Sequence, residues 1–187
     1  MNGKVQSLSA SQGNPTLLYF WTTASAICKR DLQAFQESTA RWKKEELNVI
    51  AVNTDDLATS LAPYKGLQFP VLRASAEMLA IYNILFRSLF DRHRDMELPC
   101  SFLIDPKDVI VKIYQGAVPH EQIELDARTI PQSPAERMAK ALPFPGVVGS
   151  YDFGRNYLSY GSLFFERGYP EQAEALRWMP LKQRIAP

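Results

Sequence analysis

Cysteine and histidine are nearly absent from this chain of 187 residues, which has two of each. Cys28 and Cys100 lie far apart, and His93 and His120 stand in no ligand spacing with them or with each other. That excludes a disulfide framework and a zinc site, so the fold must be held by its core. An excess of charge is also missing: 21 basic and 20 acidic residues leave a net charge of +1, and no global field favours nucleic acid. No apolar run approaches the roughly 18 residues that a membrane span requires. The first 15 residues are polar and lack an apolar h-region, so no signal peptide is expected, and the compartment is left open.

What is there reads as an ordinary α/β chain. Thr16–Phe20 is a short apolar strand between Pro15 and a Thr/Ser cluster. Cys28, Leu32, Phe35, Thr39 and Trp42 recur at steps of four and three and mark one face of a helix. Lys29, Arg30, Asp31, Glu37 and Arg41 are assigned to its other faces. Leu47–Asn53 is a β-branched strand that ends in the turn Thr54-Asp55-Asp56, and Phe69–Leu72 is a short extended piece. A second amphipathic helix runs from Ala76 to Phe90. Leu98–Asp105 and Val109–Tyr114 form a hairpin, and helices follow at His120–Thr129 and Ala135–Leu142. Helix-length crossovers followed by a hairpin predict an α/β sandwich with a mixed sheet.

The C-terminal piece differs in kind. Tyr157, Tyr160, Gly161, Phe164, Gly168 and Ala173 fall at the spacing of a tetratricopeptide repeat, a helical hairpin of about 34 residues. Gly161 would let the two helices approach closely, and Gly168-Tyr169-Pro170 would make the turn. One hairpin cannot bury its own face, so it is expected to pack on the main domain or to begin an array. The predicted division is 1–142, a linker at 143–154, and an incomplete repeat-like hairpin at 155–187.

The segment that carries chemistry is Trp21-Thr22-Thr23-Ala24-Ser25-Ala26-Ile27-Cys28, directly after the strand Leu17-Leu18-Tyr19-Phe20. Together with Val49–Asn53, Phe69-Pro70-Val71-Leu72 and Leu98-Pro99 before Phe102–Asp105, it resembles the thioredoxin superfamily in its TlpA/ResA-like and alkyl hydroperoxide reductase/thiol-specific antioxidant (redoxin) branch. The resemblance covers residues 10–130 or so and implies a thioredoxin-like three-layer sandwich with a central mixed β-sheet, followed by the C-terminal helical hairpin. It also implies a helix that opens with Cys-x-x-Cys, whose first sulfur is the nucleophile, and a cis-proline lying against that site. Here Ser25 holds the position of the first sulfur, Cys28 holds the second, and Pro99 is the candidate cis-proline. A further departure is the stretch Arg87–Glu97, longer than the resemblance leads one to expect. The hairpin behind the domain looks like the thioredoxin-plus-repeat region of large bacterial multidomain proteins.

Each candidate has two readings. In the first turn of a helix Cys28 gains from backbone N–H groups and the macrodipole, which favour a thiolate. The periodicity, however, turns it toward Leu32 and Phe35, where a desolvated thiol is inert. Ser25 is a natural N-cap, as are Thr22 and Thr23; as a nucleophile it would need a base, and neither histidine is near in sequence. Ser-x-x-Cys also resembles the Thr/Ser-x-x-Cys of peroxiredoxins, although Trp21 stands where those have proline, and the activating arginine could be Arg73, Arg87, Arg92 or Arg94. Cys100 reads as a small buried residue at a strand start, and under the resemblance a Cys28–Cys100 pair is conceivable within the distance limits of a disulfide. The basic cluster Arg87, Arg92, His93 and Arg94 reads as a solvated loop balanced by Asp91, Asp95 and Glu97.

The expectation is therefore a redoxin-type domain with a degenerate Ser-x-x-Cys site, redox-inactive and acting through a protein partner or other domains of a longer bacterial chain. The alternative is a one-cysteine thiol oxidoreductase or peroxidase that uses Cys28 and an external resolving thiol. No cofactor, metal, nucleic acid or membrane span is expected.

Overall fold

The computed structural model describes residues 13–89, 94–133, 135–136 and 157–177. Strand β1 (Thr16–Trp21) is followed by helix α1 (Ala26–Lys44), strand β2 (Asn48–Asn53) and the short strand β3 (Val71–Arg73). Helix α2 (Ala76–Leu89), the hairpin β4 (Cys100–Ile104) and β5 (Ile110–Gln115), and helix α3 (His120–Arg128) complete the domain. The five strands lie in the order β3-β2-β1-β4-β5. β1, β2 and β3 are parallel, while β4 runs antiparallel to both β1 and β5. This is the mixed sheet that the β-α-β start and the hairpin predict.

The period of two along β1 divides the core. Leu17, Tyr19 and Trp21 face one side, where Cys28, Leu32, Phe35 and Trp42 of α1 and Ile123 of α3 pack. Leu18 and Phe20 face the other, with Ile50, Val52, Phe86, Cys100 and Phe102. Three layers result, with α1 and α3 on one face and α2 on the other. The helical face marked by Cys28, Leu32, Phe35, Thr39 and Trp42 is the buried one, as the spacing predicts. α3 is tied to α1 through Glu124, whose carboxylate accepts from the Trp42 indole (2.6 Å) and from Arg41 Nε (2.7 Å). At the hairpin turn Asp108 takes φ +60°, and the Asp105 carboxylate accepts from the N–H groups of Lys107 (2.8 Å) and Val109 (2.9 Å).

Beyond the domain, helices α4 (Tyr157–Glu166) and α5 (Pro170–Arg177) form a hairpin. Gly168, at φ +82°, stops α4, and the N–H groups of Gly168 and Tyr169 return to the carbonyls of Phe165 and Phe164. That is a Schellman turn, with its customary apolar contact between Phe164 and Tyr169 (ring centroids 6.5 Å apart). A Cβ on Gly161 would stand 3.5 Å from the Ala173 carbonyl oxygen, an ordinary contact, so close approach does not demand glycine there. Gln172 donates to Glu77 of α2 (3.2 Å), which joins the hairpin to the domain. Most of the helix expected at Ala135–Leu142, the linker 143–154 and the residues Arg92 and His93 lie outside the described residues.

Candidate active site

β1 delivers Trp21 to the rim of the sheet, and the chain turns through Thr22–Ser25 into α1. Ser25, at φ −92° and ψ 121°, is the N-cap: its hydroxyl accepts the Cys28 N–H at 3.3 Å. Thr22 has another task. Its hydroxyl donates to the Asp55 carboxylate and accepts the Ala24 N–H (3.2 Å), while the Thr23 N–H also reaches Asp55 (2.9 Å). The turn residue Asp55 is thus a fixed part of the site. Burial alone would raise its pKa, but hydrogen bonds from Asn53, Thr22 and Thr23 outweigh that and hold it down at about 2.

Cys28 is 0% exposed, in the α1 layer. Cys100 is 0% exposed as well, but it faces the α2 layer, and burial pushes its thiol up to about 12. Both cysteines are free. They pack in the two clusters on opposite faces of the sheet, and Cys100 is a core residue directly opposite Phe20. The Leu98–Pro99 bond is cis, and Pro99 is buried. Carrying the β1–β4 register one step past Phe20 and Cys100 sets Pro99 across from Trp21, at the end of the sheet where α1 begins.

A polar pair near Cys28, Tyr19 and Asp31, escaped the sequence reading. Asp31, expected on an outer face of α1, is only 7% exposed and accepts a 2.9 Å hydrogen bond from the Tyr19 hydroxyl. That hydroxyl also interacts with the Cys28 thiol, so thiol, phenol and carboxyl form one buried polar cluster on the α1 face. Burial raises the Asp31 pKa against the lowering effects of Tyr19 and Arg30. It also raises that of Tyr19, with the charges of Cys28 and Asp31 acting in the same direction. The signal lay in the spacing: Asp31 is three residues from Cys28, within the apolar stripe, so it shares that face. Trp21 is fully buried, edge-on to Tyr64 (centroids 4.6 Å apart), and its indole N–H meets no acceptor among the described residues.

The other candidates are engaged elsewhere. Arg73 spends its guanidinium on the carbonyls of Asp55 (2.8 Å), Asp56 and Thr59 (2.6 Å). Arg87 faces Asp95 (3.3 Å), Arg94 is exposed, and His120 pairs with its neighbour Glu121 (2.9 Å). No helix among the described residues is long and apolar enough to cross a membrane.

The AhpC/TSA family model matches residues 1–113. The thiol-disulfide oxidoreductase ResA of Geobacillus kaustophilus is 28% identical over 134 residues, covering 70% of this chain and 71% of its own. ResA of Bacillus subtilis is 26% identical over 126 residues, covering 65% and 64% respectively. Among solved structures, a thioredoxin-family thiol:disulfide interchange protein from Chlorobium tepidum aligns with a TM-score of 0.55 at 15% identity, over 64% of this chain and 81% of that one. The exposed lipoprotein thioredoxin of Streptococcus pneumoniae gives 0.53 at 22%, over 69% and 94%. Both likenesses bear on fold alone. With its mixed sheet flanked on both faces and more than half its length matched, this chain belongs to the AhpC/TSA family and has the thioredoxin fold.

Proposed function

We propose that the domain has lost dithiol–disulfide exchange and works as an interaction module, through a protein partner or other domains of a longer bacterial protein. The observation that carries this reading is the state of the single thiol at the helix start. Cys28 is fully buried, the neighbouring Ser25 hydroxyl is used as a helix cap, and the other thiol is on the far side of the sheet. Exchange needs two sulfurs that can approach within disulfide geometry, whereas Cys28 and Cys100 pack on opposite faces of the sheet. The same reading divides the chain into a redoxin domain (1–142), a linker (143–154) and a repeat-like hairpin (155–187), with the hairpin as a second contact surface.

The polar cluster supports a second reading. The Asp31 carboxylate accepts from the Tyr19 hydroxyl, which in turn meets the Cys28 thiol, so a thiol proton could pass through that hydroxyl to Asp31; this suits a one-cysteine oxidoreductase or peroxidase that relies on an external thiol. Two assays separate the two. The module predicts slow iodoacetamide labelling of Cys28 near neutral pH and no disulfide reductase activity above background. It also predicts that Ser25→Cys gains an internal disulfide with Cys28 under oxidising buffer. Rapid labelling of Cys28, or peroxide consumption that disappears in Cys28→Ser, would overturn the module in favour of the thiol enzyme.

A further inference from the structure

β2 and β3 are parallel neighbours, yet residues 54–70 between them contain no α-helix, only a 3-10 turn at Ala62–Tyr64. This strap crosses the α1 face, where Leu61, Tyr64 and Leu67 pack against the core that contains Cys28. Tyr64 covers Trp21 at the rim. Near β3, the Gln68 N–H is held by Gln36 of α1 (2.8 Å).

The beginning of the strap is fastened in two directions. The Asp55 side chain grips Thr22 and Thr23, which lie just ahead of the cap, while its backbone carbonyl is held by Arg73. Arg73 also gathers the carbonyls of Asp56 and Thr59, so the whole 55–59 turn is drawn toward the end of β3. Thr54 adds a backbone bond to the Trp21 carbonyl (2.9 Å). Asn53, which orients the Asp55 carboxylate (2.8 Å), is itself fully buried at the end of β2. The carboxylate's remaining hydrogen bonds, from Thr22 and Thr23, join two loops.

We propose that residues 54–70 form a latched strap that controls access to Cys28, and that Asp55 is the latch. With the latch made, the Thr22–Ser25 turn is fixed to the strap and the thiol is closed. With it released, the turn and the strap part, Trp21 loses its Tyr64 cover, and Cys28 becomes reachable without unfolding of the sheet. Local opening of this kind follows the number of hydrogen bonds that hold the segment.

Cys100 provides an internal control, since it is equally buried on the opposite face of the sheet and makes no contact with the strap core. The test is site-resolved iodoacetamide labelling of the reduced full chain, with both cysteines read by peptide mass spectrometry in wild type, Asp55→Ala and the milder Thr22→Val. Loss of a charge-assisted group of hydrogen bonds predicts a rise of roughly tenfold or more in Cys28 labelling for Asp55→Ala. Thr22→Val should give a smaller rise, and Cys100 should be unchanged in both. Unchanged Cys28 labelling overturns the latch, as does a parallel rise at Cys100, which signals general loosening. If Asp55→Ala fails to fold, Thr22→Val decides by the same criterion. The inference rests on the reading that wild-type Cys28 is closed: fast labelling of wild type removes that reading, whereas slow labelling in wild type and variants alike removes only the latch.

Discussion

Replacing Asp31 by asparagine should stabilise the protein at neutral pH and do nothing at low pH. Asp31 is 7% exposed and, among the described residues, takes a side-chain hydrogen bond from Tyr19, at 2.9 Å. Burial raises its pKa, so the folded state binds its proton more tightly than the unfolded state, where an aspartate titrates near about 3.9. A group shifted in that direction contributes stability fully below its unfolded pKa and loses it as pH rises through the folded pKa. Above that point the folded protein holds a buried charge whose desolvation a single neutral phenol offsets only in part. Asp31→Asn keeps the shape and an acceptor for Tyr19 but removes the charge, for an expected gain of about 1–2 kcal/mol at pH 8. For a chain of this size that is roughly 2–4 °C in Tm per kcal/mol. Urea denaturation of wild type and variant across pH 4–8 tests it, since other carboxylates cancel in the difference. Tyr19→Phe in the wild-type background should cost about 1–3 kcal/mol, and less in the Asp31→Asn background, because the stranded acceptor is then uncharged. A difference between wild type and Asp31→Asn that is constant with pH, or a variant less stable at pH 8, would refute the reasoning.

Two further predictions concern stability. Ser25→Ala removes the cap on the Cys28 N–H and should cost about 1 kcal/mol in urea denaturation, with Cys28 labelling accelerated far less than by Asp55→Ala. Glu124→Ala strands the Trp42 indole N–H in the core and frees Arg41 from α3, for a loss of about 2–3 kcal/mol; Glu124→Gln, which keeps an acceptor, should recover at least half of it.

The elements were legible wherever one periodicity ran unbroken. The continuous apolar run of Thr16–Phe20 and the steps of four and three from Cys28 to Trp42 correspond to one strand and one helical face, both buried as expected. The end of α4 at Gly168 was legible for the same local reason: a glycine at positive φ needs no tertiary partner. Asp31 was misassigned because charge was read as exposure, when its position within the apolar stripe pointed to a buried acid with a partner. That partner, Tyr19, lies on a strand rather than on the helix, so its role depends on register. Asp55 and Arg73 were beyond reach for a related reason. A turn aspartate looks the same whether it closes its own turn or bridges to residues 32 positions away. The cap could be narrowed to Thr22, Thr23 or Ser25 but not chosen among them, because Asp55 decides which hydroxyls are already engaged.

The two faces of the sheet divide the chemistry unevenly. The α2 face buries Phe20, Tyr82 and Phe102 in mutual contact, and Cys100 sits among them as a small apolar residue. The α1 face holds the Cys28–Tyr19–Asp31 cluster and the Glu124 clamp, with the Asp55 latch at its rim. Buried polar groups cost stability unless they are satisfied, and here nearly all of them are satisfied by one another. The conspicuous exception is the Trp21 indole, at the rim of the same face. On the proposed reading, a serine hydroxyl in place of a leading sulfur leaves the face behind it intact. The Ser25 hydroxyl caps the helix, the Cys28 thiol has its polar neighbours, and the proposed strap closes over the mouth. Under the module reading, that residual network acts to fix the shape of the rim formed by Thr22–Ser25, residues 55–59 and the loop at Pro99, and a partner would recognise that shape.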